Sequence, residues 1–371
     1  MPDMPDDPYN ELPLLPPPVD LESRAILKTC IEARAALAEL RGAGELLPNQ
    51  SILINSIPLL EAQASSEIEN IVTTADKLFQ YASHQDARTD SATKETLRYR
   101  TALKSGFEML NDAPVSTQLA IKICSIVKGC DMDIRVGQGT ALMNDATGEI
   151  IYTPPDGQAR LIQFLSNWDR YIHEADTIDP LIRMAVMHYQ FEAIHPFDDG
   201  NGRTGRILNL LFLVEQGLLD MPVLYLSRHI IRHKNEYYRL LLDVSTTGRW
   251  EDWVIFMLEA VRETAVWTTA KVRAIRALLD DTAKTLQSAL PKIYSRELAE
   301  IIFVQPYCRI ADLVDAGIAK RQTAAVYLNA MAEAGILVKH EVGRENIFIN
   351  PALVKLLARE PRRVGVPAAL L

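Results

Sequence analysis

Apolar residues return every three or four positions through almost the whole chain, and that period admits essentially one kind of secondary structure. From Asp20 the stripe Leu21, Ala25, Ile26, Cys30, Ile31 and Ala35 falls on one helical face. Asp20 and Glu22 stand where N-terminal caps and dipole charges belong, and Arg41-Gly42-Ala43-Gly44 is expected to end this first helix. The same spacing predicts helices over about 51–62, 65–71, 91–110, 115–129, 157–174, 179–194, 202–217, 232–245, 250–264 and 265–288. One stretch breaks the habit. Between Arg135 and Pro155, Gly137, Gly139 and the turn Asn144-Asp145-Ala146-Thr147-Gly148 precede Ile150-Ile151-Tyr152-Thr153, which reads as a short hairpin. Past Pro291 the pattern changes again. Short helices over 295–303 and 309–316 and a longer one over 321–334 lead into a hairpin, Ile336–Val342 and Ile347–Ile349. That order reads as a winged helix-turn-helix. The expectation is a mainly α protein with a hairpin in its body and a small C-terminal domain.

The 371 residues, 48% of them hydrophobic and 23% charged, suffice for two or three packed cores and exclude a disordered or fibrous chain. No apolar run reaches the roughly 18–20 residues of a membrane span. The nearest candidate, Ile207–Leu226, is broken by Asn209, Glu215, Gln216 and Asp220. The leader, residues 1–18, is acidic and Pro-rich, unlike a signal peptide, so it is expected to lie over the body or move freely, and the cytoplasm is the expected address. Cys30, Cys124, Cys130 and Cys308 have no metal-ligand spacing and are expected to be reduced packing residues. From Pro291 onward eleven Lys and Arg face eight Asp and Glu, +3 in a chain of −9 overall, so the tail is mildly basic and the body acidic.

Chemistry concentrates in residues 195–206, His-Pro-Phe-Asp-Asp-Gly-Asn-Gly-Arg-Thr-Gly-Arg, a loop between two predicted helices. Gly200-Asn201-Gly202 lets successive N–H groups point into one concavity, and the following helix adds its dipole, so the turn suits an anion. Arg203 and Arg206 share a helical face and can fork onto phosphate oxygens. Asp199 puts a carboxylate where a Mg²⁺ on those phosphates needs an oxygen ligand. His195, with an ordinary imidazole pKa near 6.5, is able to take a proton from a hydroxyl. Pro196 and Phe197 are structural, Phe197 pinning the loop to the core.

This segment matches at every defined position the motif H-x-F-x-(D/E)-G-N-G-R-x-x-R, and on it the chain resembles the Fic family over roughly residues 20–265. The resemblance implies a helical core carrying a hairpin flap, over about 147–155, and transfer of AMP from ATP to a Ser, Thr or Tyr hydroxyl of a protein. It implies that His195 is the general base and Asp199 the Mg²⁺ ligand. Gly200, Asn201 and Gly202 would hold phosphates, with Thr204 and Gly205 in the same ATP-binding turn. Arg203 would serve the α/β region and Arg206 the γ-phosphate. The implied layout is an N-terminal helical region (1–110), the core (111–265), a linker helix (266–290) and the winged-helix domain (291–371).

Ser65, Glu69 and Asn70 resemble the family's inhibitory motif, (S/T)-x-x-x-E-(G/N), within a helix over about 62–71. In that reading Glu69 pairs with Arg206 and occupies the γ-phosphate's place. Tyr237 and Tyr238 are expected to border adenine, at least one of them instead packing in the core, with Ser245 a weaker candidate beside them. The flap edge, ending at Thr153 and Pro154, can pair with an extended target segment. His188 reads as structural, and His229 and His233, beside Arg228 and Arg232, as a solvated basic cluster. In the tail, Lys320, Arg321, Gln322 and Thr323 open the expected recognition helix and Arg344 the wing tip, which suits DNA. Glu341, Glu345, Asp315 and the modest +3 argue against it. The expected partners are ATP and a protein target, which can be the chain itself. DNA and a symmetric dimer holding the inhibitory helix are further candidates, and a membrane is excluded. AMP removal by the same residues, and a nucleotide-sensing DNA-binding regulator, remain as alternatives.

Overall fold

The computed structural model describes residues 5–82, 89–137, 141–143, 150–342 and 345–358. The chain is mainly α, as its periodicity demands. α1 (Arg24–Glu45) is capped by Ser23, whose side chain accepts the Ile26 N–H. It runs through Gly42 and Gly44 instead of ending at them, because its apolar face stays buried through Leu40 and Ala43 and outweighs a glycine cost of about 1 kcal/mol each. α2 (Ser51–Ile68) is one helix where the periodicity suggests two. Nothing in Ala62-Gln63-Ala64 breaks it, and burial along its length carries it over Pro58. It ends earlier than expected: Glu69 is the C-cap and Asn70 has φ +62°, a left-handed position that asparagine tolerates.

α3 (Ala75–Tyr81), α4 (Ser91–Met109) and α5 (Thr117–Lys128) follow, then the hairpin β1 (Leu142–Met143) and β2 (Ile150–Tyr152), antiparallel with an irregular register. Of the expected flap over about 147–155, residues 147–149 lie outside the described residues. α6 (Gln158–Glu174), α7 (Pro180–Ile194) and α8 (Asn201–Glu215) come next. α7 and α8 are buried on nearly all sides, which places the loop between them at the centre of the body. α9 (Ser227–Arg232) and α10 (Lys234–Thr247) lead to α11 (Trp250–Ala289), a single 40-residue helix where two were expected. The expected break at Thr264-Ala265 is absorbed: the Thr264 hydroxyl donates to the Ala260 carbonyl and Thr268 to that of Thr264. α11 packs along α1, tying the two ends of the body together.

The tail comprises α12 (Arg296–Val304), β3 (Tyr307–Arg309), α13 (Ile310–Asp315), α14 (Arg321–Glu333), β4 (Val338–Val342), β5 (Glu345–Ile349) and α15 (Pro351–Ala358). Its antiparallel sheet has the order β3-β5-β4. Periodicity misses α3, α9, β3 and α15, each too short to display a period. Lys320, Arg321, Gln322 and Thr323 are all exposed, whereas Arg344 lies outside the described residues. Among the described residues no helix is long and apolar enough to cross a membrane.

The leader lies on the body from Pro5 onward. Tyr9, Leu12 and Leu15 are buried, and Asn167 both accepts the Leu15 N–H and donates to its carbonyl, at 2.7 and 2.9 Å. Two expectations fail on burial. Cys130 is exposed and packs no core, unlike Cys30, Cys124 and Cys308. Arg228 and His229 are buried, so only Arg232 and His233 of the expected solvated cluster are exposed.

Candidate active site

The turn between α7 and α8 is built by its own sequence. His195 ends α7 at φ +50°, and Gly200, at φ +86°, opens α8. A side chain at Gly200 is disfavoured by that backbone, so glycine is required there. Phe197 is buried with its ring edge-on to Phe191, 6.2 Å between centroids. Asn201 staples the loop: its Oδ1 accepts the Phe197 N–H and its Nδ2 donates to the Phe197 carbonyl, both at 2.8 Å. The Asn201 side chain is therefore committed to loop shape, which leaves its backbone N–H, with those of Gly202 and Arg203, at the open end of α8. Arg135, which sequence reasoning did not single out, holds the loop from outside. Its guanidinium donates to the carbonyls of His195 (2.8 Å) and Pro155 (2.5 Å), joining the loop to the base of the hairpin.

Arg203 and Arg206 point inward from the first turns of α8 and are each about 1% exposed. Glu69 reaches both: Oε2 accepts from Arg203 Nε and Oε1 from Arg206 Nη2, each at 2.7 Å. The expected pairing with Arg206 is thus present, and the second contact, to Arg203, was not anticipated. Ser65 completes the grip, its hydroxyl accepting from Arg206 Nε at 2.7 Å and its carbonyl from Nη2 at 2.9 Å. Asn70 turns the chain, and its Oδ1 is 3.4 Å from Lys234 Nζ. Gly202 makes room for this arrangement, since a Cβ there would stand 2.6 Å from Glu69 Oε1 and 2.8 Å from Arg206 Nη1. Burial works against the Arg206 charge, but Glu69, Tyr237 and Glu192 raise its pKa above the ordinary value. Glu95 of α4, a distant acid that no local pattern reveals, takes the Nη1 of Arg203 at 2.7 Å.

Asp199 precedes α8 with its side chain 58% exposed, and pairs with Lys128 of α5. Partial burial opposes its ionisation, yet Lys128, Arg203 and the Gly200 N–H hold its carboxyl below the usual range. His195 is half-buried as a residue, with its Nδ1 shielded from solvent. Burial first and then the Arg135 guanidinium push its pKa down to about 4, so the ring is neutral at pH 7. Behind it, Glu192 is enclosed next to Gly205, where a Cβ would meet Glu192 Oε1 at 2.5 Å and Phe191 Cδ1 at 3.2 Å. Burial raises the Glu192 pKa to about 7. The Thr204 hydroxyl is buried beneath the turn.

A neutral imidazole, a helix N-terminus with two buried guanidinium groups and an exposed carboxylate make a place for a polyphosphate beside a proton acceptor. Residues 132–213, which contain all of the turn, match the Fic/DOC family, and residues 27–108 match the Fic/DOC family N-terminal domain. The chain carries Fic/DOC family domains. Residues 278–353 match the C-terminal domain of protein adenylyltransferases of the SoFic-like type. A probable protein adenylyltransferase of Aquifex aeolicus is 37% identical over 98 residues, 26% of this chain and 30% of that protein. The protein adenylyltransferase Fic of Aedes aegypti is 30% identical over 148 residues, 38% of this chain and 28% of that protein. The matches therefore span about a third or less of these curated relatives. A Fic family protein from Desulfovibrio desulfuricans superposes with a TM-score of 0.58 at 18% identity, over 90% of this chain and 98% of that one. A Fic-domain signalling protein from Bacteroides thetaiotaomicron gives 0.52 at 16% identity, over 65% of this chain and 95% of that one. Both show the Fic fold.

Around the Fic turn, the two tyrosines divide. Tyr237 is buried and its hydroxyl lies 2.8 Å from His188 Nε2, so it is a core residue and does not border an open pocket. Burial lowers the His188 pKa to about 3, keeping it a neutral packing residue as read from the sequence. Tyr238 is 41% exposed and stands edge-on to Tyr237. Ser245 is buried, 2.9 Å from the Tyr189 hydroxyl. The end of the hairpin is already in use: Thr153 accepts the Tyr9 N–H at its carbonyl (3.0 Å) and donates its hydroxyl to the Pro5 carbonyl (2.7 Å).

Proposed function

We propose that this Fic chain is a protein adenylyltransferase restrained by its own α2. The observation that carries the reading is the single carboxylate of Glu69 forked between Arg203 and Arg206, with neutral His195 on the same turn. A triphosphate lying on the α8 N-terminus would be gripped by these two guanidinium groups. While Glu69 holds them, the terminal phosphate has no free partner and ATP sits in an unproductive pose.

With Glu69 displaced, the target's hydroxyl oxygen attacks the α-phosphorus as His195 takes its proton. The bond from the α-phosphorus to the bridging oxygen breaks, AMP remains on the target oxygen and pyrophosphate leaves. Positioning and charge stabilisation supply most of the acceleration, with general-base help of about 10²–10⁴-fold. Mg²⁺ fits Asp199, an exposed, ionised oxygen donor at the same helix end, once Lys128 yields its place. When bound, it would neutralise charge on the phosphates.

Incubation of wild type, Glu69→Gly and His195→Ala with Mg²⁺ and α-labelled ATP tests this. Label and a +AMP mass shift should rise in the first variant and vanish in the second. Equal labelling of all three proteins, or none in Glu69→Gly despite bound ATP, would overturn it.

A further inference from the structure

We propose that His229, His233 and Glu263 form a transition-metal site, of a kind suited to Zn²⁺, that clamps α9, α10 and α11 together. It goes beyond the transfer reaction and uses none of its residues.

The three side chains come from separate elements. His229 is in α9, His233 joins α9 to α10, and Glu263 projects from α11. Their ligand atoms all lie within 4.8 Å of one another. His229 Nδ1 is 3.0 Å from Glu263 Oε2, and the two imidazoles are stacked with centroids 4.4 Å apart. Donors around tetrahedral zinc, each about 2.1 Å from the metal, are spaced roughly 3.4 Å apart. The His229–Glu263 pair is thus already near the spacing of one coordination edge, and closing the third donor takes a side-chain movement of about an ångström.

The surroundings suit a cation. The groups border a cavity of about 330 Å³ whose wall holds Glu236 and Glu259 along with Arg239 and Arg249, the two arginines being paired with Asp243 and Asp252, and Glu236 Oε2 is 3.8 Å from His233 Nδ1. His229 is buried against Phe256, 5.0 Å between centroids, which fixes its ring. The opening toward solvent leaves room for a water or a fourth carboxylate ligand. Two imidazoles with a carboxylate favour zinc, cobalt or nickel over Mg²⁺, which prefers oxygen.

The test uses the full chain without an affinity tag, treated with chelator and then titrated with Co²⁺ and with Zn²⁺ by equilibrium dialysis and visible absorption. The expected result is one Co²⁺ per chain with a visible ligand-field band, displaced by Zn²⁺. His233→Ala and Glu263→Gln, both at half-exposed positions, should each weaken binding at least tenfold. Asp199→Asn should leave it unchanged, which separates this site from any Mg²⁺ at the turn. Absence of stoichiometric binding, or binding that persists in both the His233 and Glu263 variants, would overturn the proposal. Neither outcome bears on AMP transfer.

Discussion

The Glu69 carboxylate lies 2.7 Å from the Arg206 guanidinium although 137 residues separate them in the chain. A hydrogen bond between charged partners is worth about 1.5–3 kcal/mol, and Glu69 makes a second one to Arg203. Removing it frees the N–H groups of Arg203 and Arg206 that face Glu69 for phosphate, while Glu95 and Ser65 keep their own contacts to them. Glu69→Gly should therefore bind ATP about 10–100-fold more tightly while AMP, which lacks the terminal phosphates, gains little. Calorimetric titration of both nucleotides against both proteins checks this. Equal gains for ATP and AMP would mean that Glu69 does not stand in a terminal phosphate's place.

Protonation of His195 gives a second expectation. Its pKa near 4 in the folded chain means the base is ready throughout the neutral range. The rate of Glu69→Gly should stay flat from about pH 8 down past the ordinary histidine value and fall only below about pH 5. Stability follows the same sign. The unfolded chain takes the proton first, near pH 6.5, so the contribution of neutral His195 is fully present above that value and is lost as pH falls toward 4. Urea unfolding of His195→Ala should lose stability less steeply than wild type across that window, and parallel curves would contradict the buried, neutral ring.

Much of this was legible in the sequence, for definable reasons. The turn from His195 to Arg206 is local, so spacing alone places its carboxylate, glycines and arginines. Ser65 and Glu69 were reachable only through resemblance, because nothing in their own spacing says which distant arginine they meet. Glu95, Lys128 and Arg135 were not legible, since each is a solitary charge on a helix or loop and gains meaning only when α4, α5 and the hairpin base close on the turn. Tyr237 and Tyr238 show the converse. Adjacent on one helix, they differ because one helical step turns the first into the core beside His188 and the second outward. Helix ends were misjudged at Gly44, Ala62 and Thr264, where burial outweighs weak local breakers.

Gly205 tests how tightly α8 is seated on α7. A Cβ there would stand 2.5 Å from Glu192 Oε1 and 3.2 Å from Phe191 Cδ1, both enclosed. Gly205→Ala should cost about 1–3 kcal/mol by overpacking, read as a lower midpoint in denaturant with an unchanged slope. A midpoint at or above wild type would show that Glu192 has space to swing aside.

Glu61 anchors the restraining helix one turn before Ser65. It is fully buried, with Oε2 accepting the Ser227 N–H at 2.9 Å and Oε1 accepting the Ser227 hydroxyl at 2.5 Å and the Tyr99 hydroxyl at 3.1 Å. Glu61→Ala strands these donors and leaves a cavity, so it should cost about 2–4 kcal/mol. Burial raises the Glu61 pKa to about 7 against the pull of the Ser227 bonds. Between pH 4.5 and 7 the folded chain then holds a proton that the unfolded chain has lost, so this group's contribution falls as pH rises. Glu61→Gln cannot titrate. Its stability relative to wild type should improve on going from about pH 5 to about pH 7 in urea unfolding. A difference independent of pH would show that the carboxylate is already ionised at pH 5, held so by its three donors.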